Sequence, residues 1–562
     1  MPNWLLRVAG VNFSTTMDDT QDLSTRRGAS LTLLNAGYAV ERRLQRTFGA
    51  DNIERIFVGA SEALFRLAPT VSPGDALDEA RRYLRAAVGH PLNRPLYPTA
   101  QKVRVPPVAT MTFVADIVED GRPDASDLLV AKVKRAQFQS PTLRPHARIR
   151  SAKVGPCPIE HRLPADRGIS VRGDMHDQAL PLADYRPRRD EKIIAVSRSV
   201  AQRRAYGRSA RQRFYEHELK TSADLHYADG FVDLVKCPPD AVPQPLKNKV
   251  AVITADGIGF GGLLEKAVRQ KAGDPIAGLK TFSKDVETML RDDLLRPLID
   301  ALVRCHALDE DGEKRTVSIP AAHADNPEAR RWGWSPILRF ETLTYAGEDI
   351  VWLCPSWLAW DVVRFLFKAA EGARVSAEAP QFRVGVVVCS YKMPIRKARD
   401  LAAELAYKVD DGSRQAGCQI ELVESIDVSD RYLDAHRARL ASDVPKSRFT
   451  LKAAKFGVVT EHLGKLRHPR GLPPSQLHRL LRRAATERAF TEEAGRAAVE
   501  KDLTETLNRG GYDYGGKKLE FEDLGLAALG AARDPLFGLL RAAQLWDIVE
   551  PLGKPIITHG TP

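Results

Sequence analysis

The chain has 562 residues, 43% of them hydrophobic, and a formal net charge of +12. That length suggests three or four domains. No apolar run reaches the roughly 18 residues of a membrane span, and six cysteines scattered singly argue against a disulfide framework and for a reducing cytoplasm. The basic balance suits a partner carrying phosphates, either a nucleic acid or a nucleotide.

The N-terminal stretch MPNWLLRVAGVNFS is too short and too strand-like for a signal peptide, and WLLRVAGVNF is apolar enough for a buried strand. Residues 22–49 carry helical periodicity and basic character. Residues 52–69 read as a hairpin turning near Gly59-Ala60. Residues 72–89 read as a helix that opens on Ser72 and Pro73. Residues 108–119 close the unit as a strand.

The same order recurs later. A strand over 249–256 is followed by helices, including 283–307, then a hairpin over 337–354, a helix over 358–372, a strand over 382–390 and a helix over 393–410. Two β-α-β-β-α-β units predict an α+β chain with two ferredoxin-like domains, each with helices on one face of its sheet. Residues 145–225 between them are rich in Arg, Pro and Asp and read as an irregular connector whose arginines suit nucleic acid. After about residue 425 the pattern is all helical, which predicts a C-terminal bundle beginning with a helix over 432–442. In that bundle the basic face of residues 478–488 reads first as solvated, with an RNA path or a contact with another subunit as the alternatives.

Chemistry concentrates in two stretches. In VAVITADGIGFGG a strand ends on Asp256 and glycines follow before a helix. Gly257, Gly259 and Gly262 satisfy G-x-G-x-x-G, but an Asp ahead of the first Gly would face a pyrophosphate without a cation between them. No second strand ending in an acid follows at the required distance either. In TLTYAGEDIVWLC a tight turn at Gly347-Glu348 sets Glu348 and Asp349 at a hairpin tip. Asp256, Glu348 and Asp349 can converge on one or two Mg²⁺ (or Mn²⁺) ions for nucleotidyl transfer. Gly257, Gly259, Gly261 and Gly347 let the backbone approach a triphosphate, and Lys392 and Lys408 are candidate phosphate partners. Trp332 and Trp334, just ahead of the hairpin, are candidates to stack a base or to pack the hairpin edge.

These residues resemble the large polymerase-cyclase subunit of type III CRISPR effector complexes, or a stand-alone relative with its second palm domain. TADGIGFG resembles the family's ADGD-type strand end, AGED its GGDD hairpin and VVVCSYKMP its strand followed by H-x-K-x-P. DTQDLSTRRGASLTLL (Asp19 to Leu34) is similar to a helix motif of the family's first palm. The resemblance implies two GGDEF-like palm domains. It divides the chain into a first, non-catalytic palm over 1–144 and a connector with a degenerate zinc ribbon over 145–225. A second palm follows over 226–425, and a helical domain over 426–562.

The resemblance also implies conversion of ATP to a cyclic or linear oligonucleotide signal in antiviral defence, with RNA and effector subunits as partners. Asp256, Glu348 and Asp349 would be metal ligands and catalytic, and Gly257 a backbone ligand. Ala346 replaces the first Gly of the hairpin motif, Glu348 an Asp, and Ile258 the second Asp of the strand-end motif. The ribbon keeps Cys157, offers His161, and has Ser197 and Ser199 where a second cysteine pair belongs, so zinc is not expected. The His176-Asp177 dipeptide stands alone, and no phosphohydrolase domain is expected. An active nucleotidyltransferase and a nucleotide-binding scaffold that has lost catalysis both remain open.

Overall fold

The computed structural model describes residues 2–11, 13–17, 19–20, 22–59, 61–85, 107–122, 124–141, 155–172, 193–215, 226–228, 230–235, 242–271, 274–304, 307–308, 314–315, 337–409, 414–424, 449–467, 471–489, 492–511, 513–514, 517–518 and 535–551. His176-Asp177, Trp332, Trp334 and the helix expected over 432–442 lie outside the described residues.

The first sheet is built from β1 (Trp4–Gly10), β2 (Ile53–Val58), β3 (Glu62–Leu67) and β4 (Phe113–Glu119). Its spatial order is β2-β3-β1-β4, antiparallel throughout. Helix α1 (Leu23–Phe48) joins β1 to β2, and α2 (Pro73–Arg85) joins β3 to β4. Asp22 caps α1, its carboxylate accepting from the Thr25 amide at 2.8 Å. Alternation along the strands splits the side chains between two faces. Leu6, Val8, Phe65 and Ala115 bury one face against α1 and α2. Leu5, Ala9, Leu64 and Val114 bury the other against a helix that follows β4, α3 (Ala125–Gln139).

Within the connector, α4 (Arg198–Arg213) packs along α1. Its Arg203 is fully buried and paired to Asp19 at 3.0 Å and Glu160 at 2.7 Å. Ser197 caps this helix through the Val200 amide at 3.1 Å and also donates to Glu160. Cys157 packs against Val196, Val200 and Ala201 as a small apolar residue.

The second sheet starts with β5 (Lys249–Ile258). Helices α5 (Phe260–Gln270) and α6 (Pro275–Thr288), a wide-turned segment Met289–Leu295 and α7 (Arg296–Arg304) follow. The hairpin strands β6 (Glu341–Ala346) and β7 (Asp349–Pro355), α8 (Ala359–Gly372) and β8 (Gln381–Ser390) complete a unit with the element order of the first. Helix α9 (Ile395–Tyr407) then leads to β9 (Gly417–Val423), which runs parallel to β8. The spatial order is β6-β7-β5-β8-β9, extended by a sixth short strand, β10 (Leu451–Lys452).

Two expectations are corrected here. Helices cover both faces of each sheet: Val252, Leu353 and Val387 pack on α9, while Ile253, Trp352 and Val386 pack on the opposite layer. Strands buried on both faces read as unbroken apolar runs, and VVVC and VAVI do so. The region after 425 is also not wholly helical, because β10 pairs with β9 at Gly417–Lys452 and Cys418–Leu451. Beyond it, α10 (Phe456–Arg467), α11 (Pro474–Thr486), α12 (Glu493–Gly510) and α13 (Pro535–Leu545) join the core that covers the sheet.

The two sheets are tied by a buried ion pair: Arg27 of α1 donates from Nε to Glu341 of β6 at 2.8 Å. Among the described residues no helix is long and apolar enough to cross a membrane.

Candidate active site

The hairpin closes on the pair Ala346–Asp349, leaving Gly347 and Glu348 as a two-residue turn. Gly347 takes φ +58°, a conformation a side chain resists, and first-position Gly belongs to a type II′ turn. β7 then runs antiparallel to β5, with Ile350 opposite Ala255. One residue further out, the same register sets Asp349 opposite Asp256. Directly opposed positions on neighbouring strands hold Cβ atoms about 5 Å apart. On the other side of β5, Asp256 faces Arg383 of β8. The order across three strands is therefore Asp349, Asp256, Arg383, all on the α9 face by the period of two.

Glu348 reaches this row from the other face. A Cβ placed on Gly257 would lie 2.5 Å from the Glu348 Cβ and 2.5 Å from the Phe260 ring. Only glycine fits at 257, and Glu348 sits directly beside the strand end. This division between faces agrees with a further fact: among the described residues no three His, Cys, Asp or Glu side chains already converge as a metal cage. Mg²⁺ commonly takes one or two carboxylates and completes its shell with phosphate oxygens and water. A cross-strand Asp pair open to solvent fits that habit better than a closed protein cage would.

The electrostatics point the same way. Asp349 is exposed by its accessible surface, yet crowding of its carboxyl by protein, then Glu348, then Asp256, pushes its pKa up to about 6. Burial raises the Asp256 pKa, and Arg383 acts against that rise. The row carries more negative charge than its surroundings neutralise, a condition that a cation relieves.

The glycines divide. Gly259 caps α5 at φ +77° with no side-chain cap, and Cβ atoms on Gly259, Gly261 or Gly262 would meet nothing within 4 Å. The start of α5 therefore presents open backbone beside the strand end. Ile258 is buried, 8% exposed, where the family motif has an acid.

The lysines do not both belong here. β8 is antiparallel to β5, so Ser390 pairs with Lys249, at the opposite end of the sheet from Asp256. Lys392 lies beyond Ser390, and the seven residues from Arg383 to Ser390 alone span about 23 Å. The strand direction thus removes Lys392 from the site. Lys408 ends α9 at the Asp256 end of the sheet, but its ammonium pairs with Glu404 and its side chain is 9% exposed. Arg383 is the cationic residue that the register sets directly opposite Asp256. Nothing local marks it in the sequence; only the pairing register reveals it.

Neither a protein-family model nor a curated protein matches the chain. Solved structures similar to it include Csm1 from T. onnurineus, at 13% identity and TM-score 0.49 over 97% of this chain and 70% of that one. A Csm1-Csm4 cassette in complex with cA4 is similar at 12% identity and TM-score 0.47, over 96% and 70%. A type III-B Cmr-beta apo structure is similar at 10% and 0.46, over 95% and 82%. Another Csm1-Csm4 cassette was solved in complex with one ATP. These are proteins of the type III CRISPR family that the sequence motifs resemble. At TM-scores below 0.5 the likeness carries no weight for the chemistry of this chain, which rests on the site's own geometry.

Proposed function

We propose that the second sheet is a palm-type domain that binds a nucleoside triphosphate with a divalent cation and transfers nucleotidyl groups, joining ATP into a cyclic or linear oligonucleotide within a CRISPR-type defence system. The observation that carries this reading is the cross-strand Asp349–Asp256 pair at the strand end, with Gly257 held bare against Glu348. The two aspartates would hold the cation, and Glu348 would join them around the end of β5. Bound there, the cation supplies charge neutralisation and polarises the phosphate and the attacking 3′-hydroxyl. The bare strand end and the open start of α5 leave room for a triphosphate. In the transfer the 3′-oxygen forms a bond to the α-phosphorus, the bond to pyrophosphate breaks, and the hydroxyl proton passes to water.

The scaffold reading has one specific support: Ile258 is buried in place of an acid, so the site holds one carboxylate fewer than the family motif. In that case the chain binds nucleotide and organises RNA and partner subunits without turnover.

One experiment separates the two. Labelled ATP is incubated with the full chain and Mg²⁺ or Mn²⁺, with and without RNA, and the products are resolved. Oligonucleotide that disappears in both Asp256→Ala and Asp349→Ala is the expected result. Binding without product under every condition leaves the scaffold, and no binding at all sinks both readings.

A further inference from the structure

We infer that Arg383 is the residue that holds the polyphosphate of the bound nucleotide, the role for which the sequence offers Lys392 and Lys408. This deepens the nucleotide-binding reading above and rests on it.

Three observations carry it. First, Arg383 stands opposite Asp256 on the neighbouring strand, so the two side chains leave the sheet side by side. Any phosphate sharing a cation with Asp256 lies within reach of a guanidinium rooted one strand away. Second, the competing cations are engaged or distant: Lys392 is beyond the far end of β8, and Lys408, although at the Asp256 end, has a side chain nine-tenths buried and paired to Glu404. Third, the face from which Arg383 projects is closed further along by α9. A Cβ at Gly385 would meet the Ala402 carbonyl at 1.9 Å and the Ala406 amide at 2.6 Å. Helix and sheet therefore touch two residues inward from Arg383, while Arg383 itself is half-buried and lies close enough to Asp256 to act on its charge.

The chemistry suits the position. A guanidinium stays charged at any working pH and presents a planar fork that matches two phosphate oxygens at once. Beside Asp256 it also has a resting role, offsetting that carboxylate's charge when no cation is bound. The ligand class follows: a nucleoside di- or triphosphate, distinguished from a nucleoside monophosphate by the phosphates that reach Arg383.

The test uses the full chain, Mg²⁺ and fluorescence anisotropy of a ribose-labelled ATP analogue, with unlabelled ATP and AMP as competitors and the melting temperature recorded for each variant. Arg383→Ala is expected to weaken ATP binding by about 10- to 100-fold, the loss of one charged hydrogen-bonded contact, while AMP changes far less. Arg383→Lys should recover part of the ATP affinity. If Arg383→Ala fails to fold, Arg383→Gln provides the same comparison. Equal losses for ATP and AMP, or no loss for either, in a variant that keeps its melting temperature overturn the assignment while leaving the nucleotide reading standing. Wild-type chain that binds neither nucleotide overturns both.

Discussion

The two sheets share one plan and differ at one row. In both, the first strand lies between the second hairpin strand and the fourth strand, and the helix after the fourth strand covers the face where the row sits. Counting back from the hairpin turn, Glu62, Ala9 and Val114 occupy in the first sheet the places that Asp349, Asp256 and Arg383 occupy in the second. Ala9 is fully buried, Val114 nearly so, and Glu62 is tied to Arg7. The first row is a packed core with one neutralised acid at its rim. The second is a charged row whose acids exceed their partners. The same strand plan thus holds a packed apolar row in one sheet and a charged row in the other, and three side chains make the difference.

The sharpest way to break that comparison is to exchange the middle residue. Asp256→Ala should cut nucleotidyl transfer by on the order of 10²-fold or more, with the melting temperature kept or raised, because a half-buried carboxyl beside Asp349 is removed. Ala9→Asp should do the reverse, costing about 1–3 kcal/mol of stability or more by burying an unpaired carboxyl, readable by denaturant unfolding. Transfer that survives Asp256→Ala would end the distinction between the sheets.

The glycine that follows the middle residue of each row comes next. Gly257→Ala forces a methyl against Glu348 and Phe260 and should cost about 1–3 kcal/mol. At Gly10 a Cβ meets nothing closer than 3.6 Å, so Gly10→Ala should be neutral or stabilise by up to about 1 kcal/mol. Equal effects at the two positions would mean that the tip contact in the second sheet is not tight.

The pH response should sharpen the contrast further. Asp349 titrates near 6 in the folded chain against 3.8 for its ordinary value, so the folded state holds the extra proton. Without a cation, its contribution to stability is best below about pH 4 and declines as pH rises through 6. Asp349→Asn should flatten that part of the stability–pH curve. Mg²⁺ or Mn²⁺ should bind more tightly as pH rises across the same window, with proton release measurable by calorimetry in two buffers. A cation affinity that is flat from pH 5 to 7 would place the ion elsewhere. The smallest effect belongs to Lys392→Ala, which should leave ATP affinity within about twofold, as for a surface charge remote from the ligand.

Much of this was legible along the chain because it is local. The turn at Gly347-Glu348 follows from backbone chemistry over four residues, and β5 follows from its apolar run, although cross-strand pairing carries it past Asp256 to Ile258. The alternation of strands and helices likewise gave both β-α-β-β-α-β units. The misplaced features were long-range. Lys392 follows its strand as a phosphate ligand would, but an antiparallel neighbour carries it to the wrong end of the sheet. Leu451–Lys452 is too short for any periodicity, and its pairing with β9 decides that it is a strand.

By itself, the sequence determined the two copies of the unit, the tip of the hairpin and the identity of the acids, since turn preference and hydrophobic period act over a few neighbouring residues. Only the tertiary structure decided which charges stand beside which. Pairing register is set by burial summed over whole strands, and that sum puts Arg383, rather than either lysine, next to Asp256.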